Sequence, residues 1–232
     1  MSGELIQSSA TVGVVLSMIT YGLGVWLRAK TKKDFFNPLM ISIIVCIVVL
    51  NVFHIDYESF NASAKYLSYL LTPATVALAI PLYKQMAILK KNIKAILIST
   101  IAGALTSMGS ILAMSMLFGL SHEYYVTMLP KSITTAIGMG VSEELGGNVT
   151  ITVAVIIITG VVGNMIAANF TKLMRIKSPI ARGLAIGSAS HAIGTAKAMQ
   201  IGEIEGAMSS LAIVISGLLT VVGASFFAMV RF

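Results

Sequence analysis

Charge is scarce in this sequence, and cysteine is almost absent. Only 11% of its 232 residues are charged, under half the roughly 25% usual for a soluble domain, so water is not its main solvent. The single cysteine, Cys46, excludes an intramolecular disulfide and a cysteine-based metal centre. It falls inside an apolar run, where a packing role is expected. The three histidines, His54, His122 and His191, are too scattered for ligand spacing, so no metal site and no cofactor is expected. Also missing are a G-x-x-x-x-G-K-[ST] phosphate loop, a G-x-S-x-G nucleophile elbow and an H-E-x-x-H zinc helix. With these motifs absent, the sequence does not read as an enzyme.

What is abundant is hydrophobicity: 56% of the residues are apolar and the mean hydropathy is +0.91. Six apolar runs stand out, at about Ser8 to Leu27, Phe35 to Phe53, Tyr66 to Tyr83, Ala95 to Leu120, Val149 to Phe170 and Ala207 to Val230. Runs of this kind have no polar face, and about 20 residues of helix cross roughly 30 Å of hydrocarbon. Backbone amides in lipid need internal partners, and the alternating ten-residue segments of a membrane barrel are lacking. The expected fold class is therefore all-α: a polytopic integral membrane protein forming one domain over residues 1–232. It has about six full spans and two broken or re-entrant polar segments, Ser121 to Gly147 and Gly183 to Gly206. The first run is not a signal peptide in pattern, because Glu4 precedes it and its positive charges follow it.

The net charge of +7 is explained by position. Arg28, Lys30, Lys32 and Lys33 fill one short connector, Lys84, Lys90, Lys91 and Lys94 a second, and Lys172, Arg175, Lys177 and Arg182 a third. Asp56 with Glu58, and Glu123 with Glu143 and Glu144, lie in the intervening connectors. This is the positive-inside pattern, which puts the basic connectors in the cytoplasm and the N-terminus outside. Aromatic and basic residues are not interleaved as a nucleic-acid surface requires. Between the second and third basic connectors the chain crosses an even number of times, and two runs already supply this. Segment 121–147 is thus expected to re-enter from outside or to lie at the outer surface; the side of the C-terminus is left open. A weak match between PATVALAIP (73–81) and PKSITTAIG (130–138) hints at an internal repeat, although this topology does not place the two strings in inverted orientation.

The two polar segments carry the chemistry. In PKSITTAIGMG (130–140) a proline at a first helical position precedes Lys131, Ser132, Thr134 and Thr135, which reads as a half-helix whose free N–H groups, hydroxyls and ammonium suit an anion. An amphipathic surface helix is the alternative. Glu143 and Glu144 read as a solvated helix end. In GLAIGSASHAIGTAKAMQIGEIEG (183–206), Gly183, Gly187, Ser190 and Gly194 share a face that admits close packing. The same segment carries Ser188, Ser190, His191, Thr195 and Lys197 to membrane depth, where ionisable groups are costly and should face a cavity. His191 and Thr195, four apart, share a helical face. Glu203 and Glu205 are candidates to cap, to pair with Lys197 or to carry a coupling proton, and Gly202 and Gly206 suggest unwound backbone. Pro73 and Pro81 interrupt the third run, either as simple kinks or as openings for a polar cavity.

These residues, together with FFNPLMISI (35–43), YLLTPATVALAIPLYKQ (69–85), PKSITTAIGMGVSEELGG (130–147) and GSASHAIGTAKAMQIGEIEGAMSSLA (187–212), resemble the LrgB/CidB family of bacterial membrane proteins. Plastid glycolate/glycerate transporters share a related domain. The resemblance implies the bacterial cytoplasmic membrane and a small LrgA/CidA-type membrane partner. It also implies one of two functions: transport of small monocarboxylates such as pyruvate or glycolate, or antiholin-like control of murein hydrolase export and autolysis. Transport is the expected reading, since holin-type lesions need little beyond self-associating apolar helices. The expected ligand is one small carboxylate anion, bound by Lys131, Ser132, Thr134, Thr135, Ser188, Ser190, His191 and Thr195. Lys197, Glu203, Glu205, Pro73 and Pro81 are candidates for coupling or gating, and homo-oligomerisation is left open.

Overall fold

The computed structural model describes residues 11–31 and 36–231. Glu4, Lys32, Lys33, Asp34 and the first residues of the runs at 8 and 35 lie outside them. The described residues form helices joined by short turns, with no strand among them, and their polarity is inverted relative to a water-soluble core. Thr100, Ser115, Ser142, Thr152, Thr195 and Ser209 are fully buried, while Leu117, Ile98 and Leu218 lie 75%, 68% and 66% exposed. Apolar outside and hydroxylic inside is what lipid demands, because a hydroxyl facing hydrocarbon has no partner. Four helices are long and apolar enough to cross a membrane, and a fifth apolar helix is shorter; the chain is a multi-pass membrane protein.

The chain divides into two compact units. In the first, α1 (Val12–Thr31) packs on α2 (Pro38–Val52) and α3 (Tyr57–Ala64). Asn37 caps α2 by accepting from Leu39 N, with Pro38 at the first helical position, and Asp56 caps α3 in the same way. Polar contacts within the layer are short: Gly13 N donates to Ser63 Oγ (2.7 Å), and Thr20 Oγ1 meets Ser42 Oγ (2.9 Å) and Cys46 Sγ (3.2 Å). The run Tyr66 to Tyr83 is not one helix. It forms a 3-10 segment (Lys65–Leu70), α4 (Leu71–Ala77) and α5 (Ala79–Lys84). Pro73 and Pro81 each remove the hydrogen bond to the residue four before and crowd its carbonyl, and the two breaks fall beside those carbonyls, Tyr69 and Ala77.

The second unit holds α5 and α6 (Met86–Phe118), α7 (His122–Met128), α8 (Thr135–Glu144), α9 (Val149–Leu173), α10 (Pro179–Ile201) and α11 (Glu203–Phe227). Helices α7 and α8 form a hairpin. Asn148 N, at the start of α9, donates to Thr127 Oγ1 of α7 (2.8 Å). Ser142 Oγ of α8 accepts from Thr152 Oγ1 (2.7 Å), and Gly138 abuts Ile156, so α8 runs antiparallel to α9. The hairpin's apex reaches Ser107, eleven residues before the end of α6 and hence about 16 Å below it, about half a bilayer core. Segment 121–147 therefore enters and leaves at one end of the unit, as the charge parity requires.

Helix α10 also doubles back. Its backbone breaks at His191 (φ 40°, ψ −142°). Gly194 then lies against Ile186, a Cβ there falling 3.2 Å from Ile186 O, although eight residues of straight helix would separate the two by about 12 Å. Gly187 and Thr195 both meet Ser209 of α11, which a straight α10 does not permit. The arms are residues 179–190 and 192–201. Arg182 Nη2, near the start of the first arm, pairs with Glu205 Oε1 at the start of α11 (2.5 Å), so this hairpin enters and leaves at the opposite end, beside the basic connectors. Its apex rests on Gly160, the twelfth residue of the 25-residue α9. Two re-entrant hairpins thus approach from opposite ends and meet near the middle of the unit.

Lys90, Arg175 and Arg182 sit at one end of this unit, and Glu123, Glu143 and the last turn of α11 at the other, since Tyr125 Oη donates to Phe227 O (2.9 Å). The last described residues, whose side the charge pattern left open, share the acidic end. In a Cys46→Ser background, single cysteines at Glu143 and Arg231 are expected to react with an impermeant thiol reagent outside intact cells, and cysteines at Lys90 and Arg175 to resist it. External labelling at Arg175 would contradict the hairpin topology.

Candidate functional site where two hairpins meet

The apex of the α7–α8 hairpin is residues 130–134, and it positions Lys131. Pro130 does not open α8 as its sequence position suggested. Lys131 N donates to Met128 O and Ile133 N to Pro130 O, a pair of turns that puts Lys131 and Ser132 between the helices rather than on one, and α8 starts only at Thr135. Its cap, Thr134, makes no side-chain hydrogen bond, so the first-turn N–H groups of α8 lack the usual side-chain acceptor. Lys131 Nζ donates to Ser132 Oγ (3.0 Å) and, more weakly, to Ser107 Oγ (3.4 Å), and Ser107 Oγ to Ser132 Oγ (3.1 Å).

One turn from Ser107 on α6, Gly103 faces Ser188 of the second hairpin. The two hairpins therefore touch successive turns of α6 and border an open cavity of about 760 Å³ lined by Lys131, Ser132, Ser107, Ser188 and Phe170. A second cavity, of about 500 Å³, lies between α9 and the first arm of α10, lined by Lys131, Thr159, Gly163 and Ser190. Lys131 belongs to both. Among the described residues, neither lining includes a carboxylate. A lone ammonium among hydroxyls, in apolar walls, is chemically suited to an anion.

Not all of the expected residues converge there. Lys131, Ser132, Ser188 and Ser190 line the cavities. His191 sits behind them at the break, its Nε2 within 2.9 Å of Ile156 O; donation to that carbonyl places the proton on Nε2. It does not share an open face with Thr195, as a continuous helix would require. Thr195 Oγ1 bonds to His191 O and to Ser209 Oγ (2.7 Å) and faces α11. These two residues brace the apex. Thr134 and Thr135 start α8, half-buried. Lys197 is buried on the second arm; Glu205 is taken by Arg182, and Glu203 is exposed beside Pro81 and Lys84. Pro73 is exposed on α4.

The sequence profile of the LrgB-like family matches residues 17–230. The chain belongs to that family. It is 40% identical over 211 residues to proteins named antiholin-like protein LrgB from Bacillus mycoides (strain KBAB4) and Bacillus cereus (strain B4264), an alignment covering 90% of this chain and 92% of each relative. No solved structure matches it. For this LrgB-like protein the sequence left several lining residues unnamed. Ser99, Thr106, Ser107 and Ser110 line the larger cavity from α6, and their three- and four-residue spacing inside an apolar run was the available signal. Asn164, whose Nδ2 donates to Ile193 O (2.7 Å), ties the second hairpin to α9. It was passed over as one polar residue in a span.

Proposed function

We propose that this LrgB-like protein moves a small monocarboxylate across the bacterial cytoplasmic membrane, with Lys131 as the charge that receives it. The observation that carries this reading is the meeting of two oppositely directed re-entrant hairpins at one ammonium, with no opposing carboxylate among the described residues. Broken helices near the membrane midplane, flanking a polar site with access from either end, are a recurrent feature of secondary transporters. Ser132, Ser107, Ser188 and Ser190 would supply neutral donors, and the uncapped start of α8 a favourable dipole. His191 and Thr195 would hold the second apex, and Glu205 with Arg182 its base. In this reading the basic end is cytoplasmic, the N-terminus lies outside, residues 1–232 act as one domain, and a small LrgA/CidA-type membrane protein is the partner.

The names of the relatives favour a second reading, antiholin-like regulation without flux of its own. Radiolabelled pyruvate or glycolate uptake into proteoliposomes holding the chain, with and without its LrgA/CidA-type partner, separates the two. Saturable uptake supports transport. Partner binding with no flux for any small carboxylate would leave the regulatory reading standing.

A further inference from the structure

Both cavities run from Lys131 toward one end of the unit only. The larger follows α6 from Asn92, in its second turn, to Ser110, about 27 Å of helix, and α10 from Ser178 to Ala189. The smaller follows α9 from Ile158 to Thr171. Asn92 and Ser178 directly follow Lys91 and Lys177 of the second and third basic connectors, so the mouth of the larger cavity lies at the basic end. Among the described residues, neither lining includes any part of α7, of α11, of α6 beyond Ser110 or of α9 before Ile158. On that side Met108 and Ile111 of α6 pack with Tyr125, Val126 and Ala224 in one buried apolar cluster. Lys131 thus stands near the blind end of a space that opens at the basic end and is closed at the acidic one.

Helix α6 presents three faces. Ile96, Thr100, Ala104 and Met108 are buried, while Ile98 and Leu105, 68% and 52% exposed, carry branched apolar side chains suited to lipid. The face along the cavity is different: Asn92, Ser99, Thr106, Ser107 and Ser110, with only alanine and glycine among its other lining residues. One serine in a span is satisfied on its own helix, as Ser99 is by donating to Ile96 O (3.0 Å), and by itself says nothing about water. Five polar residues on one helical face, bordering a space that ends on an ammonium, suit water and an anion better than acyl chains.

We infer that this face of α6 is the wall of a water-filled passage through which the anion reaches Lys131 from the basic end, and that the structure holds the state closed at the acidic end. The cargo of the passage rests on the transport role proposed above; its water does not. Lys91 and Lys177 at the mouth concentrate an anion there. Neutral hydroxyls along the wall offer it hydrogen bonds without trapping it as a second fixed charge would.

The test uses the full chain in a Cys46→Ser background, in membrane vesicles of either orientation. Ser99→Cys, Thr106→Cys and Ser110→Cys are treated with a charged, impermeant methanethiosulfonate, which reacts with ionised thiols in water. Ile98→Cys and Leu105→Cys, each one residue away at the same depth, face hydrocarbon and are the controls. The three passage variants are expected to react at least about tenfold faster than the controls, since an apolar setting suppresses the thiolate. They should also react faster from the side on which Lys90→Cys reacts than from the side of Glu143→Cys. Equal rates on the two faces of α6, faster reaction from the Glu143 side, or no reaction from either would overturn the passage. If Thr106→Cys does not insert, the nearly isosteric Ser99→Cys and Ser110→Cys carry the same comparison. Labelling as expected in a protein that moves no carboxylate would uphold the passage and remove its cargo. Carboxylate uptake with all three passage variants unreactive would leave transport standing and overturn the passage.

Discussion

Lys131→Ala is expected to lower carboxylate uptake at least about tenfold, equivalent to about 1.4 kcal/mol of binding or transition-state stabilisation, while membrane insertion persists. Lys131 supplies the ammonium common to both cavities, and its removal leaves the Ser107–Ser132 hydrogen bond as the polar link between α6 and the first apex. Insertion should survive because the apolar seal of this hairpin, built from Tyr125, Val126, Leu129, Ile133 and Val141 with Met108 and Ala224, does not include the lysine. Lys131→Arg should recover part of the flux, since it keeps the charge but offers a planar fork in place of a compact ammonium. Ser59→Ala, on α3, is the control. His191→Ala should also lower uptake, through position rather than contact: it removes the imidazole that ties the apex to Ile156 O of α9, a hydrogen bond worth about 0.5–1.5 kcal/mol. Uptake unchanged in both Lys131→Ala and His191→Ala, in properly inserted protein, would place the anion site elsewhere.

Gly163→Ala is expected to damage stability and uptake together. The first arm of α10 lies so close to α9 that an added Cβ would overlap Ser190 Oγ and fall 2.6 Å from Ser190 Cβ. Overpacking of this kind costs about 1–3 kcal/mol, and the arm that must move carries Ser188 and Ser190. Combining it with Ser190→Gly vacates the overlapping atoms, so the double variant should be more stable than Gly163→Ala alone. Such non-additivity is the signature of direct contact. Thermal unfolding in detergent measures the cycle. Additive losses would mean that the two residues do not touch, and that the second hairpin is not seated as described.

The membrane class and the segment that re-enters were legible because both follow from coarse quantities, run length and charge parity. Some of the residues that the hairpin apices bring together were legible in outline too. Lys131 and Ser190 are conspicuous in an apolar chain, and each lies at or next to an apex. The second hairpin was harder. Its glycines read equally well as one straight packed helix, and the break falls on His191, a residue with no intrinsic preference for positive φ comparable to glycine's. Only its contacts, Ile186 against Gly194 and Ser209 against both Gly187 and Thr195, distinguish the two. The hydroxyls of α6 went unread for a related reason: a serine inside a span satisfies itself on its own helix, as Ser110 does by donating to Ser107 O, and gives no outward sign of lining a cavity.

The seating of the first hairpin also bears on the order in which the chain assembles. Tyr125 finds its hydrogen-bond acceptor at Phe227, 102 residues later, and Ala224 completes the cluster that covers Val126, Leu129 and Ile133. A ribosome releases the earlier residues many seconds before the last helix exists. Neither arm of this hairpin, at seven and ten residues, is long enough to hold itself across a bilayer. The first hairpin, already held by α6 and α9, therefore gains its last contacts only when α11 arrives. The cover of this hairpin is complete only at the final step of biogenesis: a nascent chain arrested before residue 220 would carry every named cavity-lining residue yet lack the Phe227 acceptor and the Ala224 contact.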